Sequence, residues 1–163
     1  MSSQLFTCAP RQFFVDCDDI SPRAEAREFC RTIKRETGVV LRAWSWRRGK
    51  CEDFKSSTLM EMTDVLHASD LPCADAVLGG ELCIPSDQAI SRRIVLPWSW
   101  YTGERNEEIV VTSTADFSAA INAAEPLLES KMGDFENVRG HLDGFREVIA
   151  YADKHTFPIF WSV

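Results

Sequence analysis

Phe157-Pro158-Ile159-Phe160-Trp161-Ser162-Val163 is the stretch on which the fold turns. Successive side chains of a β-strand point to opposite faces, and here both sets are apolar, which marks a central strand buried on both sides. Such a strand needs a covering layer above and below its sheet, and the preceding segments supply candidates. Two helical patterns come immediately before it, from about Ala115 to Ser130 and from about Phe135 to Lys154, with Asp134 placed to cap the second. Ahead of those, Arg93 to Tyr101 and Glu108 to Ser113 read as strands joined by hairpin chemistry across Thr102-Gly103-Glu104-Arg105-Asn106-Glu107.

Working back further, Leu71 to Asp87, with two prolines and Gly79-Gly80, predicts a long loop or a short edge strand. Cys51 to His67 carries an amphipathic pattern whose helix should begin near Ser57 or Thr58. Val39 to Trp46 predicts a strand ending in the polar Arg47-Arg48-Gly49-Lys50 turn. Ser21-Pro22 opens a helix, serine as cap and proline in the first turn. Ala26, Phe29, Cys30 and Ile33 form its dry stripe, Arg23, Arg27, Arg31, Lys34 and Arg35 its wet side, and Gly38 its stop. Residues 5 to 16 predict the first strand. The order βαβα, ββ, αα, β implies an α/β to α+β fold, a mixed β-sheet covered by about four helices and including one β-hairpin. No linker interrupts it, so residues 1–163 are expected to form a single globular domain.

Composition agrees with that architecture. The 163 residues are 45% apolar and 26% charged, which excludes disordered, collagenous and coiled-coil classes. The first residues contain no basic leader followed by an apolar run, and no apolar stretch approaches the roughly 20 residues of a membrane span, so a cytoplasmic protein is expected, with no membrane partner. Cys8, Cys17, Cys30, Cys51, Cys73 and Cys83 are evenly spread without metal-ligand spacing, and are expected to be free, mostly buried thiols. Neither cofactor nor metal is expected.

Net charge is −7, but residues 1–50 carry +4 and residues 51–163 carry −11. Arg31 to Lys50 holds seven cationic side chains against Glu36 alone, interleaved with Trp44 and Trp46. Cations beside stacking aromatics are ingredients of nucleic-acid binding. The acidic remainder of the chain opposes it, so nucleic acid is an unfavoured partner.

Two short stretches echo each other: Trp44-Ser45-Trp46-Arg47-Arg48-Gly49 and Trp98-Ser99-Trp100-Tyr101-Thr102-Gly103. Alternation places both tryptophans of a pair on one face and the serine on the other. They either fill the core or, at Trp46 or Trp100, anchor a partner, since tryptophan and tyrosine dominate binding hot spots. Trp100 and Tyr101 are the expected anchors, with Glu104, Glu107 and Glu108 as a charged rim steering a basic protein partner.

Catalytic constellations are thin. Phe13-Phe14-Val15-Asp16-Cys17-Asp18-Asp19 resembles the first motif of the haloacid-dehalogenase-like phosphatases. That resemblance would make Asp16 a nucleophile and Asp18 an acid/base beside Mg²⁺. No separate lysine and late metal-binding acid complete the set, because Lys131 and Asp134 lie three residues apart in one connection. His67, His141 and His155 are expected at the surface or at helix ends. In size, acidity, the Trp100 to Glu108 hairpin and the Phe160-Trp161-Ser162-Val163 strand, the chain is similar in outline to small bacterial toxin-immunity proteins. That likeness implies an inhibitor-type protein that binds a toxin or enzyme directly, with no catalytic residues of its own.

Overall fold

The computed structural model describes residues 2–14, 21–69, 81–97 and 106–162. Six strands, β1 (Ser2–Thr7), β2 (Lys50–Lys55), β3 (Leu82–Ile84), β4 (Ser91–Leu96), β5 (Glu107–Ser113) and β6 (Ile159–Ser162), form one sheet in the order β2-β1-β6-β3-β5-β4. The sheet is mixed: β3 and β5 run parallel, and the other neighbours are antiparallel. The helices are α1 (Pro10–Phe13), α2 (Pro22–Thr37), α3 (Ser56–His67), α4 (Thr114–Lys131) and α5 (Phe135–His155).

Alternation along the central strands divides the interior into two cores. Ile159 and Trp161 of β6 and Cys83 of β3 face α3, α4 and α5, where they pack with Met62, Leu66, Phe117, Leu142 and Phe145. Phe160, Leu82 and Ile84 face the other way, toward Phe14, Phe29, Ile33 and Leu41. The two-faced strand expected at 157–163 is therefore central, between β1 and β3. The hairpin is also present, with Leu96 opposite Glu107 and Ser91 opposite Thr112. In α2, Ala26, Phe29 and Ile33 are buried, and Gly38 closes the helix at φ +79°, a left-handed turn that favours glycine.

Four expectations need correction. The first strand stops at Thr7 rather than reaching residue 16: Pro10 enters at the first turn of α1, and Phe13 and Phe14 turn inward to meet Phe160 and Phe29. Phe13 and Phe14, the described part of the apolar strand that the phosphatase analogy needs, lie in α1 and at its C-cap instead, while Val15, Asp16 and Asp18 lie outside the described residues. Val39 to Trp46 is extended but joins no strand. Its place is taken by the polar Lys50–Lys55, which succeeds as an edge strand because one side faces solvent and Phe54 alone is buried deeply. Finally, β3 is neither edge nor loop: all three of its residues are buried between β6 and β5.

Gly49 carries the chain past the end of β1 into β2. A Cβ there would collide with the Thr7 carbonyl oxygen and come within 2.9 Å of Cys8 Cβ. Backbone cannot move aside as a side-chain tip can, so Gly49→Ala is expected to destabilise by roughly 1–3 kcal/mol, read as a lowered urea midpoint at unchanged m-value.

Candidate interaction face

The segment from Val39 to Trp46 alternates as a strand would, with an unusual sense. Leu41 and Ser45 point inward and are buried, whereas Val40, Trp44 and Trp46 point outward and are 63%, 55% and 76% exposed. The tryptophans share one face, as the alternation predicts, but that face meets solvent rather than the core.

The segment is held firmly without a sheet. Arg11 N–H donates to the Ala43 carbonyl (2.9 Å) and Arg42 N–H to the Thr156 carbonyl (3.0 Å). The Gln12 side-chain amide donates to the carbonyls of Ser45 (3.2 Å) and Arg47 (2.7 Å), bracketing Trp46. Arg47 N–H donates to Ser45 Oγ (3.0 Å), and the Tyr151 hydroxyl to the Arg48 carbonyl (2.8 Å). The backbone that carries Trp46 is therefore tied on both sides, and the Arg47 guanidinium lies 4.9 Å from the Trp46 ring centroid, a cation–π contact.

Beside Trp44 is a cavity of about 340 Å³ with Ala26 and Ala43 in its lining and Arg11, Arg23 and Arg27 around it. Arg11 comes from the last turn of α1, while Arg23 and Arg27 stand one turn apart on α2. Helical spacing places Arg23 and Arg27 on the wet face of α2, and nothing local brings Arg11 to them. Pro10, which starts α1, was the available signal.

The expected anchors Trp100 and Tyr101 and the rim residue Glu104 lie outside the described residues. Glu107 opens β5, half-buried; Glu108 is exposed, with its carboxylate 3.7 Å from Arg93 Nη1. The strand register places both at the opposite end of the sheet from Thr7 and Ile159, where the Trp44–Trp46 segment crosses. The two candidate surfaces do not merge.

Comparison with known proteins gave no match, whether to family models, curated proteins or solved structures.

Among the described residues, no group of three His, Cys, Asp or Glu side chains could hold a metal ion, and no helix is long and apolar enough to cross a membrane. His141, on α5, is half-buried with Nδ1 3.0 Å from Glu52 Oε1, and the absence of a side chain at Gly144 makes room for that carboxylate. Cys51 and Asp53, one residue to either side of Glu52, alternate to the opposite face of β2, so the pair meets no nucleophile from its own strand. Cys8, Cys30, Cys51 and Cys83 are free, but only Cys8 and Cys83 are buried and Cys51 is exposed. Burial pushes the thiols of Cys8 and Cys30 up to about 12, and raises that of Cys83 too, so they are inert as nucleophiles.

His155 ends α5 but is buried, not at the surface: its ring lies 4.4 Å from Tyr151 and 5.6 Å from Phe157, centroid to centroid. Burial, followed by the charges of Arg47, Lys154 and Arg42, holds its imidazole below the usual range. The unfolded chain takes up this proton at about pH 6.5 while the folded chain resists it, so stability is lost as pH falls through that window. Melting temperature should therefore decline from about pH 7 to about pH 5.5, and more shallowly in His155→Gln, by parallel calorimetry of both proteins.

Proposed function

We propose that the chain is a protein-binding module of inhibitor or immunity type, which neutralises an enzyme or toxin by covering it, and that Trp44 and Trp46 are its anchors. The observation that supports this is the pair of exposed tryptophans on a backbone tied down by Gln12, Arg11 and Tyr151. A large aromatic surface kept in water gains nothing for folding. Buried against a partner it contributes strongly, and a rigid presentation loses little entropy on docking. The acidic hairpin has less support, because Glu108 already faces Arg93 and lies at the far end of the sheet.

The test is a comparison of the tagged chain with its Trp44→Ala/Trp46→Ala double variant. Complexes would be purified from the cells that make the protein, and any component present with the parent and depleted with the variant would be prepared pure. Reconstitution should then show that the parent chain suppresses that component's activity and the variant does not. If nothing is depleted, or the reconstituted activity is unaffected, the inhibitor reading fails.

A further inference from the structure

We propose that the cavity bounded by α1, α2 and the 39–46 segment receives a carboxylate side chain from an acidic, partly apolar segment of the protein partner, with Arg11, Arg23 and Arg27 as the anion-binding groups. This rests on the interaction reading above and names the chemistry of what binds.

The arginines are the first argument. Arg23 and Arg27 stand at i and i+4 on α2, where like charges disfavour the helix, and Arg11 brings a third positive charge to the same cavity. None of the three makes an ion pair among the described residues. The next two arginines of α2 are treated differently: Arg31 is joined to Glu28 (3.4 Å) and Arg35 to Glu36 (2.8 Å). Among the described residues, positive charge without an ion partner is thus gathered where the surface is concave. The guanidinium fork fits a carboxylate in two parallel hydrogen bonds, and Ala26, Ala43 and Trp44 offer an apolar wall to the methylenes of the acidic side chain.

Size and surroundings select the source of the anion. A volume of about 340 Å³ holds one or two side chains, not the extended track that a nucleic-acid backbone follows. Trp44 in the cavity wall and Trp46 two residues on share one exposed face, with Arg42 between Trp44 and Val40, which suits a peptide segment whose acidic residue is flanked by apolar ones. The overall charge of −7 does not prevent this, because at physiological salt charges beyond roughly 8 Å are largely screened.

The experiment is a ¹⁵N NMR titration of the full chain with a blocked hexapeptide of alternating leucine and glutamate, its glutamine counterpart, and a thymidine oligonucleotide. The glutamate peptide should produce saturable shifts at the Trp44 indole N–H and at the Arg11, Arg23 and Arg27 side chains, and the glutamine peptide none. Arg23→Glu/Arg27→Glu should weaken the glutamate peptide at least tenfold, about 1.4 kcal/mol or more, while keeping a dispersed folded spectrum. These substitutions lie in the first turns of α2, where the helix dipole favours a negative charge. Absence of shifts, equal shifts from the glutamine peptide, tighter binding of the oligonucleotide, or indifference to the charge reversal would each overturn the proposal. If peptide binding fails while the tryptophan variant still loses a partner, only the carboxylate site falls. If the peptide binds and no partner is lost, only the inhibitor reading falls.

Discussion

Phe160→Ala should destabilise the protein by about 3–5 kcal/mol, a large share of the 5–15 kcal/mol that usually separates a folded domain from its unfolded chain. Phe160 is 1% exposed in the middle strand of the sheet, and its ring meets Phe13 at 4.5 Å, Phe6 at 5.4 Å and Phe29 at 6.3 Å. Truncation removes all three contacts at once, and strands on both sides limit how far the space can close. The effect should extend to the interaction face. Phe13 seats α1 on Phe160, and α1 carries the Arg11 and Gln12 groups that hold the 39–46 segment. Urea unfolding should show the lowered midpoint, and hydrogen exchange at Arg11 N–H should accelerate beyond what global destabilisation alone produces. Phe160→Leu, which retains more of the volume, should do less of both. A midpoint unchanged by the alanine would contradict the packing described.

The second large effect concerns binding rather than folding. Trp44→Ala/Trp46→Ala should reduce affinity for the purified partner by about 2–4 kcal/mol per tryptophan that acts as a hot spot, or roughly 30- to 1000-fold. Stability should remain within about 0.5 kcal/mol of the parent, because both rings are more than half exposed and their removal opens no cavity. Trp46 loses a cation–π partner in Arg47, a surface contact of small energy. The pairing of outcomes is what discriminates. A variant that melts several degrees lower would assign the tryptophans to the fold, and one with unchanged partner affinity would remove them from the interface. Calorimetric titration beside a thermal melt measures both.

Much of the architecture was legible because it rests on local rules. Ser21-Pro22 and Gly38 bracket α2, the pattern from Phe135 onward gives α5, and the double-sided apolarity of Ile159-Phe160-Trp161 marks a central strand. The failures fall where tertiary context overrides propensity. Cys51 opens what reads as an amphipathic helical pattern, yet Lys50–Lys55 becomes a strand because β1 offers it an edge. Val39 to Trp46 has the composition of a strand and does not pair, because its backbone groups find Arg11, Thr156 and Gln12 instead. The candidate site shares that character. Alternation put Trp44 and Trp46 on one face, but no local rule says whether a face looks inward or outward, and Arg11 joins Arg23 and Arg27 only through the docking of α1. The hairpin anchors Trp100, Tyr101 and Glu104 fall outside the described residues.

The position of β6 has a consequence for how the molecule is made. It follows every other described element in the chain, yet lies between β1 and β3. During synthesis, the β1–β2 pair and the β3–β5–β4 group can each assemble as they emerge, but residues 159–162 must leave the ribosome before the two halves are joined. Until then each half presents an open strand edge and one side of an incomplete apolar core, surfaces that invite pairing with other chains. The nascent protein should therefore depend on chaperone protection until β6 inserts, a dependence visible as aggregation of ribosome-stalled chains in which Ile159 has not cleared the exit tunnel and its relief in chains extended far enough for Ser162 to emerge.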